Sequence, residues 1–174
     1  MTKRIVFVTG GARSGKSSFA LIAAAKIRGR RAFVATATAL DAEMLARIEK
    51  HRLDRGGEWE TIEEPLGIAK VIDETKDKYA VLVIDCLTLW LSNVLLSGLD
   101  AESEIDELVS TLAACPAPLF IVSNEVGMGI VPENELARRF RDLAGLLNQK
   151  VAGIADEVYL VVSGIPVNIK KIGR

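Results

Sequence analysis

Ile5-Val6-Phe7-Val8-Thr9-Gly10-Gly11-Ala12-Arg13-Ser14-Gly15-Lys16-Ser17 decides how the rest of the chain is read. Four consecutive apolar residues, two of them Val, predict a buried strand. Residues of helical period follow from Lys16 to Arg28, with Gly29 as a stop signal. Between them lies G-x-x-x-x-G-K-[ST] in the context that this motif requires, after a strand and opening a helix. Its glycines let successive backbone N–H groups converge on phosphate oxygens, and the positive helix end adds to that field. Gly10, Gly11, Ala12, Arg13, Ser14 and Gly15 are therefore expected to line a phosphate. Lys16 should reach the β- and γ-phosphates, and the Ser17 hydroxyl should ligate Mg²⁺.

Working outward, Val- and Ile-rich runs alternate with helical patterns. Ala32–Ala35, Trp59–Ile62, Ala80–Ile84, Leu119–Val122 and Glu157–Val162 read as strands, and Pro166–Lys170 as an edge strand. Helices are predicted over Asp41–Arg55 with Asp41 as N-cap, from near Pro65, and over Leu87–Leu96, Ala101–Ala114 and Glu133–Val151. In the last, Leu136, Phe140, Leu143, Leu147 and Val151 make the apolar face, while Arg138, Arg139 and Arg141 read as its solvated side. Arg28, Arg30 and Arg31 suit the negative end of the first helix. The pattern predicts an α/β fold in one domain, residues 1–174: a doubly wound, mostly parallel sheet of three-layer, RecA-like P-loop type. Ligands of such sheets bind beyond the strands' carboxyl ends, where Thr9, Thr36, Asp85 and Asn124 fall. Asp85 closes the run Ala80–Ile84 and would sit beside the phosphate loop, holding Mg²⁺ through water.

Composition narrows the function. With 174 residues, 49% of them hydrophobic and 26% charged, the chain can build one sizeable core. Twenty-two basic against 23 acidic residues give a net charge of −1, which argues against a generic nucleic-acid binder. The two cysteines, Cys86 and Cys115, cannot make a disulfide scaffold or a zinc site; they read as buried small hydrophobes in a reducing cytosol. The apolar stretch Tyr79–Leu96, broken by Asp85, reads as a strand feeding a helix rather than a membrane span, and the start is too short in apolar residues for a signal peptide.

The single histidine, His51, shares one side of its predicted helix with Arg47 and Arg55. Flanking guanidinium groups disfavour its protonated form and bind phosphates, which suits a neutral nucleophile at phosphorus. The same spacing also describes a solvated surface histidine.

Four blocks then carry a resemblance: Thr9–Ser17 (TGGARSGKS), Ala46–Trp59 with the ARIxxHRxxR pattern, Ser123–Pro132 (SNEVGMGIVP) and Ala155–Lys170 (ADEVYLVVSGIPVNIK). Together the chain resembles the bifunctional adenosylcobinamide kinase/adenosylcobinamide-phosphate guanylyltransferases of cobalamin biosynthesis. The resemblance implies phosphorylation of the aminopropanol hydroxyl of adenosylcobinamide by ATP or GTP. Transfer of GMP from GTP to that phosphate would follow, through a guanylyl-histidine at His51. It further implies nucleotide contacts at Thr36, Arg52, Asp54, Arg55 and Glu63, and a homo-oligomer, specifically a trimer. Asn124 and Glu125 line the site without an assigned role. Two other readings of the phosphate loop stay open: a simple small-molecule kinase with His51 idle, and a nucleotide-gated regulatory module. The first lacks an arginine-rich lid insertion, and the second predicts nucleotide binding or hydrolysis without transfer to a corrinoid.

Overall fold

The computed structural model of the protein describes residues 3–38, 52 and 56–172. Strands β1 (Ile5–Thr9), β2 (Arg31–Ala35), β3 (Trp59–Glu63), β4 (Val81–Asp85), β5 (Leu119–Val122), β6 (Glu157–Val162) and β7 (Ile165–Asn168) form one sheet. Its order is β3-β2-β4-β5-β1-β6-β7. All pairings are parallel except β6 with β7. Helices α1 (Lys16–Ala24), α2 (Ile68–Thr75), α3 (Leu87–Ser97), α4 (Ala101–Ala114), α5 (Glu135–Ile154) and the short α6 (Ile169–Ile172) complete the described elements. This is the three-layer, mostly parallel arrangement expected from the sequence.

The central strands are covered on both faces, so they are apolar throughout rather than alternating. Val81, Leu82, Val83 and Ile84 are all fully buried. The two-residue period still sorts them. Val6, Val8, Val81, Val83, Phe120 and Val122 pack on the side of α1 with Ala20 and Ala24. Ile5, Phe7, Leu82, Ile84 and Ile121 pack on the side of Ile72, Trp90, Leu91, Leu108 and Leu147 from α2–α5. The run from Tyr79 onward is thus a core strand entering α3, and no helix among the described residues is long and apolar enough to cross a membrane.

Helix boundaries differ from the sequence reading where side chains or turns intervene. α1 stops at Ala24 rather than Arg28, tightening through Lys26 N–H to Ala23 O (3.4 Å) and Ile27 N–H to Ala24 O (3.0 Å). Gly29 follows at φ +122, where a Cβ would lie 2.7 Å from the Ala80 Cβ. Of the three arginines assigned to that helix end, Arg31 serves it, donating to Ala25 O (2.8 Å) and Ile27 O (3.2 Å). Arg30 instead pairs with Glu60 (2.9 Å). α2 begins at Ile68, later than Pro65, because Glu64 Oε1 first accepts from Leu66 N–H and Gly67 N–H. Leu136 is 53% exposed and borders a groove with Leu95, Leu96 and Phe140, so the core face of α5 starts a turn later. Arg138 is half-exposed on the expected solvated side and donates back to the Pro132 and Glu133 carbonyls. The region of the predicted helix Asp41–Arg55 lies outside the described residues except for Arg52, which is helical and exposed.

Candidate nucleotide site

β1 runs buried to Thr9 and hands the chain to Gly10, whose φ of +148 only glycine adopts readily. A Cβ there would lie 2.3 Å from the Val161 carbonyl oxygen of β6, so the loop turns against the neighbouring strand. Gly11 O accepts from Ser14 N–H (3.3 Å), Arg13 takes φ +56, and Gly15 at φ +95 opens α1 with no side-chain cap. The first-turn N–H groups of that helix are therefore not consumed by a capping side chain. Lys16 is 6% exposed, and its Nζ donates across the loop to Gly11 O (2.6 Å). The Ser14 hydroxyl is buried without a partner among the described residues.

Two neighbours pin the loop from outside. Glu125 N–H donates to Gly10 O (2.9 Å) beyond the end of β5. On the other flank, the β6–β7 turn places Ser163 at φ +51 and Gly164 at φ +82, the signature of a tight hairpin, and Gly164 N–H donates to Ser14 O (2.9 Å). A cradle of converging N–H groups, a helix N-terminus and a buried ammonium is built for a polyphosphate.

Asp85 ends β4 half-buried, as the sequence places it, but not on the strand next to β1. β5 lies between them, with Asp85 in register with Val122 and Val122 with Val8. Those partners face the α1 side, so Asp85 and the phosphate loop share one face of the sheet across one intervening strand. Ser17, on the first turn of α1, supplies a hydroxyl on that face. One hydroxyl and one carboxylate fit a magnesium ion carried in by a nucleotide, most of whose ligands are phosphate and water. Among the described residues no cluster of three or more His, Cys, Asp or Glu could hold a metal by itself.

Thr36, expected to contact nucleotide, is fully buried and closes the gap after Asp85 instead. Its hydroxyl donates to Cys86 O and accepts from Cys86 N–H, both at 2.8 Å. Asn93 Nδ2 donates to Thr36 O (2.9 Å) from α3. Burial first, and then the charge of Asp85, push the Cys86 thiol up from its ordinary value. Glu63 is exposed at the carboxyl end of β3, the sheet edge. That is four strand steps from β1, about 19 Å at ~4.8 Å each. Arg52 is exposed; His51, Asp54 and Arg55 lie outside the described residues.

Thr88 and Asn148 escaped the sequence reading. Thr88 Oγ1 accepts from Asn124 N–H (3.1 Å), and Asn148 Nδ2 donates to Asn124 O (3.1 Å). Asn148 follows Ala144 by four on α5, so a polar residue at a core-side position was the available signal.

The chain matches the family described as cobinamide kinase / cobinamide phosphate guanyltransferase over residues 6–169. It is 42% identical over 181 residues to the bifunctional adenosylcobalamin biosynthesis protein CobU of Escherichia coli K12, covering 95% of this chain and 99% of that one. It is 42% identical over 167 residues to the bifunctional adenosylcobalamin biosynthesis protein CobP of Pseudomonas aeruginosa, covering 94% and 95% respectively. Among solved structures, a KaiC-like protein of Pyrococcus horikoshii aligns with a TM-score of 0.49 at 15% identity, over 90% of this chain and 70% of that one.

Proposed function

The chain belongs to the cobinamide kinase / cobinamide phosphate guanyltransferase family, and from that premise we propose that it performs two successive transfers on adenosylcobinamide. In the first, the aminopropanol hydroxyl oxygen bonds to the γ-phosphorus of ATP or GTP while the bond to the β-phosphate oxygen breaks. The hydroxyl proton leaves to solvent and the nucleoside diphosphate departs. The backbone N–H groups from Gly10 to Gly15 bind the phosphate oxygens, and Lys16 swings from Gly11 O to the β- and γ-phosphates. Ser17 and Asp85 would hold Mg²⁺, which would supply positive charge to neutralise that spreading over the transferring group. The observation that carries this half is the finished loop: Gly10 pressed against Val161, Gly15 opening α1, and Lys16 buried across it.

In the second transfer, neutral His51 attacks the α-phosphorus of GTP and pyrophosphate leaves. A phosphate oxygen of adenosylcobinamide phosphate then attacks the guanylyl phosphorus, the imidazole nitrogen departs, and adenosylcobinamide-GDP forms. Splitting the reaction keeps two phosphate-rich anions from meeting directly. An imidazole of ordinary pKa is largely uncharged at neutral pH, as this role needs. Arg52, Asp54 and Arg55 follow the nucleophile and contact its nucleotide, and the Glu63 carboxylate accepts from guanine N1–H and the exocyclic amine. Thr36 acts from behind, fixing the chain after Asp85. The protein assembles as a homotrimer. The outward face of β7 and α6, with Ile165 65% and Ile172 71% exposed, offers apolar surface for association.

GTP labelled at the α-phosphate tests the covalent step. The protein should take up label that is stable in base and lost in acid, and His51→Ala should take up none. Undiminished labelling of His51→Ala would remove the nucleophile, and an unlabelled parent would leave a simple kinase.

A further inference from the structure

The pairing of β5 with β1 runs on past the strand. Leu119 N–H donates to Arg4 O (2.8 Å), Ser123 N–H to Val8 O (3.0 Å) and Glu125 N–H to Gly10 O (2.9 Å), one continuous parallel ladder. Its register, set by Val8 opposite Val122, puts Asn124 level with Gly10 of the phosphate loop. Phe120 and Val122 face the α1 side, and the two-residue period brings Asn124 to that same side. Asp85 lies opposite Val122 on the next strand, two residues short of the same level. Asn124 therefore stands beyond the strand that lies between the phosphate loop and the carboxylate, level with Gly10 of the loop.

Its backbone is fastened on every side. The N–H donates to Thr88 Oγ1 (3.1 Å) at the start of α3, and the carbonyl accepts from Asn148 Nδ2 (3.1 Å) of α5. The next residue is tied to Gly10. The half-buried carboxamide itself makes no hydrogen bond among the described residues. A neutral donor on a backbone held from three elements needs no reorganisation when charge develops in front of it, and that is the condition under which one hydrogen bond lowers a barrier most.

We propose that Asn124 is a catalytic residue of phosphoryl transfer: its Nδ2 donates a hydrogen bond to a γ-phosphoryl oxygen of the nucleotide in the phosphate loop. Thr88 and Asn148 are positioning residues that hold it there. This rests on the kinase half of the proposed function.

Steady-state phosphorylation of adenosylcobinamide by GTP and Mg²⁺ is compared for the parent, Asn124→Ala, Asn124→Asp, Thr88→Val and Thr88→Ser, each first confirmed folded by its thermal melt. Asn124→Ala should lose about 100-fold in kcat, the effect of removing one such donor, with KM for GTP within about threefold. Asn124→Asp keeps the shape but sets a negative charge against the phosphate. It should be at least as slow as the alanine variant and bind GTP more weakly. Thr88→Val should lower kcat about tenfold, and Thr88→Ser should restore it. Rates of both Asn124 variants within threefold of the parent, or an aspartate variant faster than the alanine one, would overturn the assignment. Slow GTP hydrolysis to water is measured alongside. A parent that hydrolyses GTP yet leaves adenosylcobinamide untouched refutes the substrate reading, while the same ranking of variants in hydrolysis still decides Asn124. A parent inactive in both refutes the two together.

Discussion

Replacing Gly10 by alanine tests whether the phosphate loop is shaped by its contact with β6. The added Cβ would lie 2.3 Å from the Val161 carbonyl oxygen and 3.1 Å from the Ser14 hydroxyl. Contacts below 3.0 Å force movement, and Val161 cannot retreat easily because it is fully buried and paired with Pro166 of β7, one residue past the Thr9–Leu160 pair that joins β6 to β1. Overpacking of this kind costs about 1–3 kcal/mol. Holding a non-glycine residue near φ +148 costs about 1–3 kcal/mol more. A destabilisation of about 4 kcal/mol should lower the melting temperature by roughly 8–16 °C for a chain of this length. Gly11→Ala is the matched control, because a Cβ there meets nothing within 4 Å. Its stability should stay within about 0.5 kcal/mol of the parent. Urea unfolding of both variants, alongside the parent, measures the difference. Equal midpoints for the two would mean that the close approach of Gly10 to β6 does not exist in solution.

Thr36→Val should cost about 1–3 kcal/mol by urea midpoint, since it strands the buried Cys86 N–H that donates to the hydroxyl, while Cys86 O keeps the Trp90 N–H (3.1 Å); a loss below 0.5 kcal/mol would contradict that brace. Glu157 is pushed up by partial burial, but hydrogen bonds from Tyr159 and Arg4 outweigh this and hold its carboxyl below the ordinary value. Its contribution is therefore full above the unfolded pKa of about 4.3 and is lost as pH falls through the lower folded value. The stability advantage of the parent over Glu157→Gln should be constant from pH 7 to 5 and shrink toward pH 3; an advantage that grows on acidification would reverse the sign. Burial raises both thiols, Cys86 and Cys115, above the usual value, so neither should react appreciably with iodoacetamide at pH 8 until the protein is unfolded. One rapidly alkylated thiol in the native protein would place that cysteine at the surface.

Local pattern carried the elements far better than their arrangement. Ala101–Ala114 and Leu119–Val122 coincide with α4 and β5, because apolar period and flanking signals act over a few residues. Strand order does not. That β5 separates Asp85 from the phosphate loop depends on which strands pair across more than a hundred residues, and nothing near Asp85 encodes it. The end of α1 was overestimated because the helical period continues to Arg28, while Arg31, reaching back from β2, takes up the carbonyls after Ala24. Leu136 has helical spacing but is exposed beside Leu95, Leu96 and Phe140, so periodicity assigns it to a core that does not extend that far. In the site, Gly10, Gly15, Lys16 and Ser17 were readable from one motif. The Thr88 and Asn148 ties to Asn124 were not, because each joins elements distant in sequence.

In the proposed function one chain performs two chemically separate transfers in a fixed order. Chromatography of the corrinoid products after incubation with GTP and Mg²⁺, for the parent, Lys16→Ala and His51→Ala, tests it most directly. The parent should convert adenosylcobinamide to adenosylcobinamide-GDP, His51→Ala should stop at adenosylcobinamide phosphate, and Lys16→Ala should leave the substrate unchanged. Adenosylcobinamide-GDP formed by His51→Ala at the parent's rate, or phosphate formed undiminished by Lys16→Ala, would contradict the account.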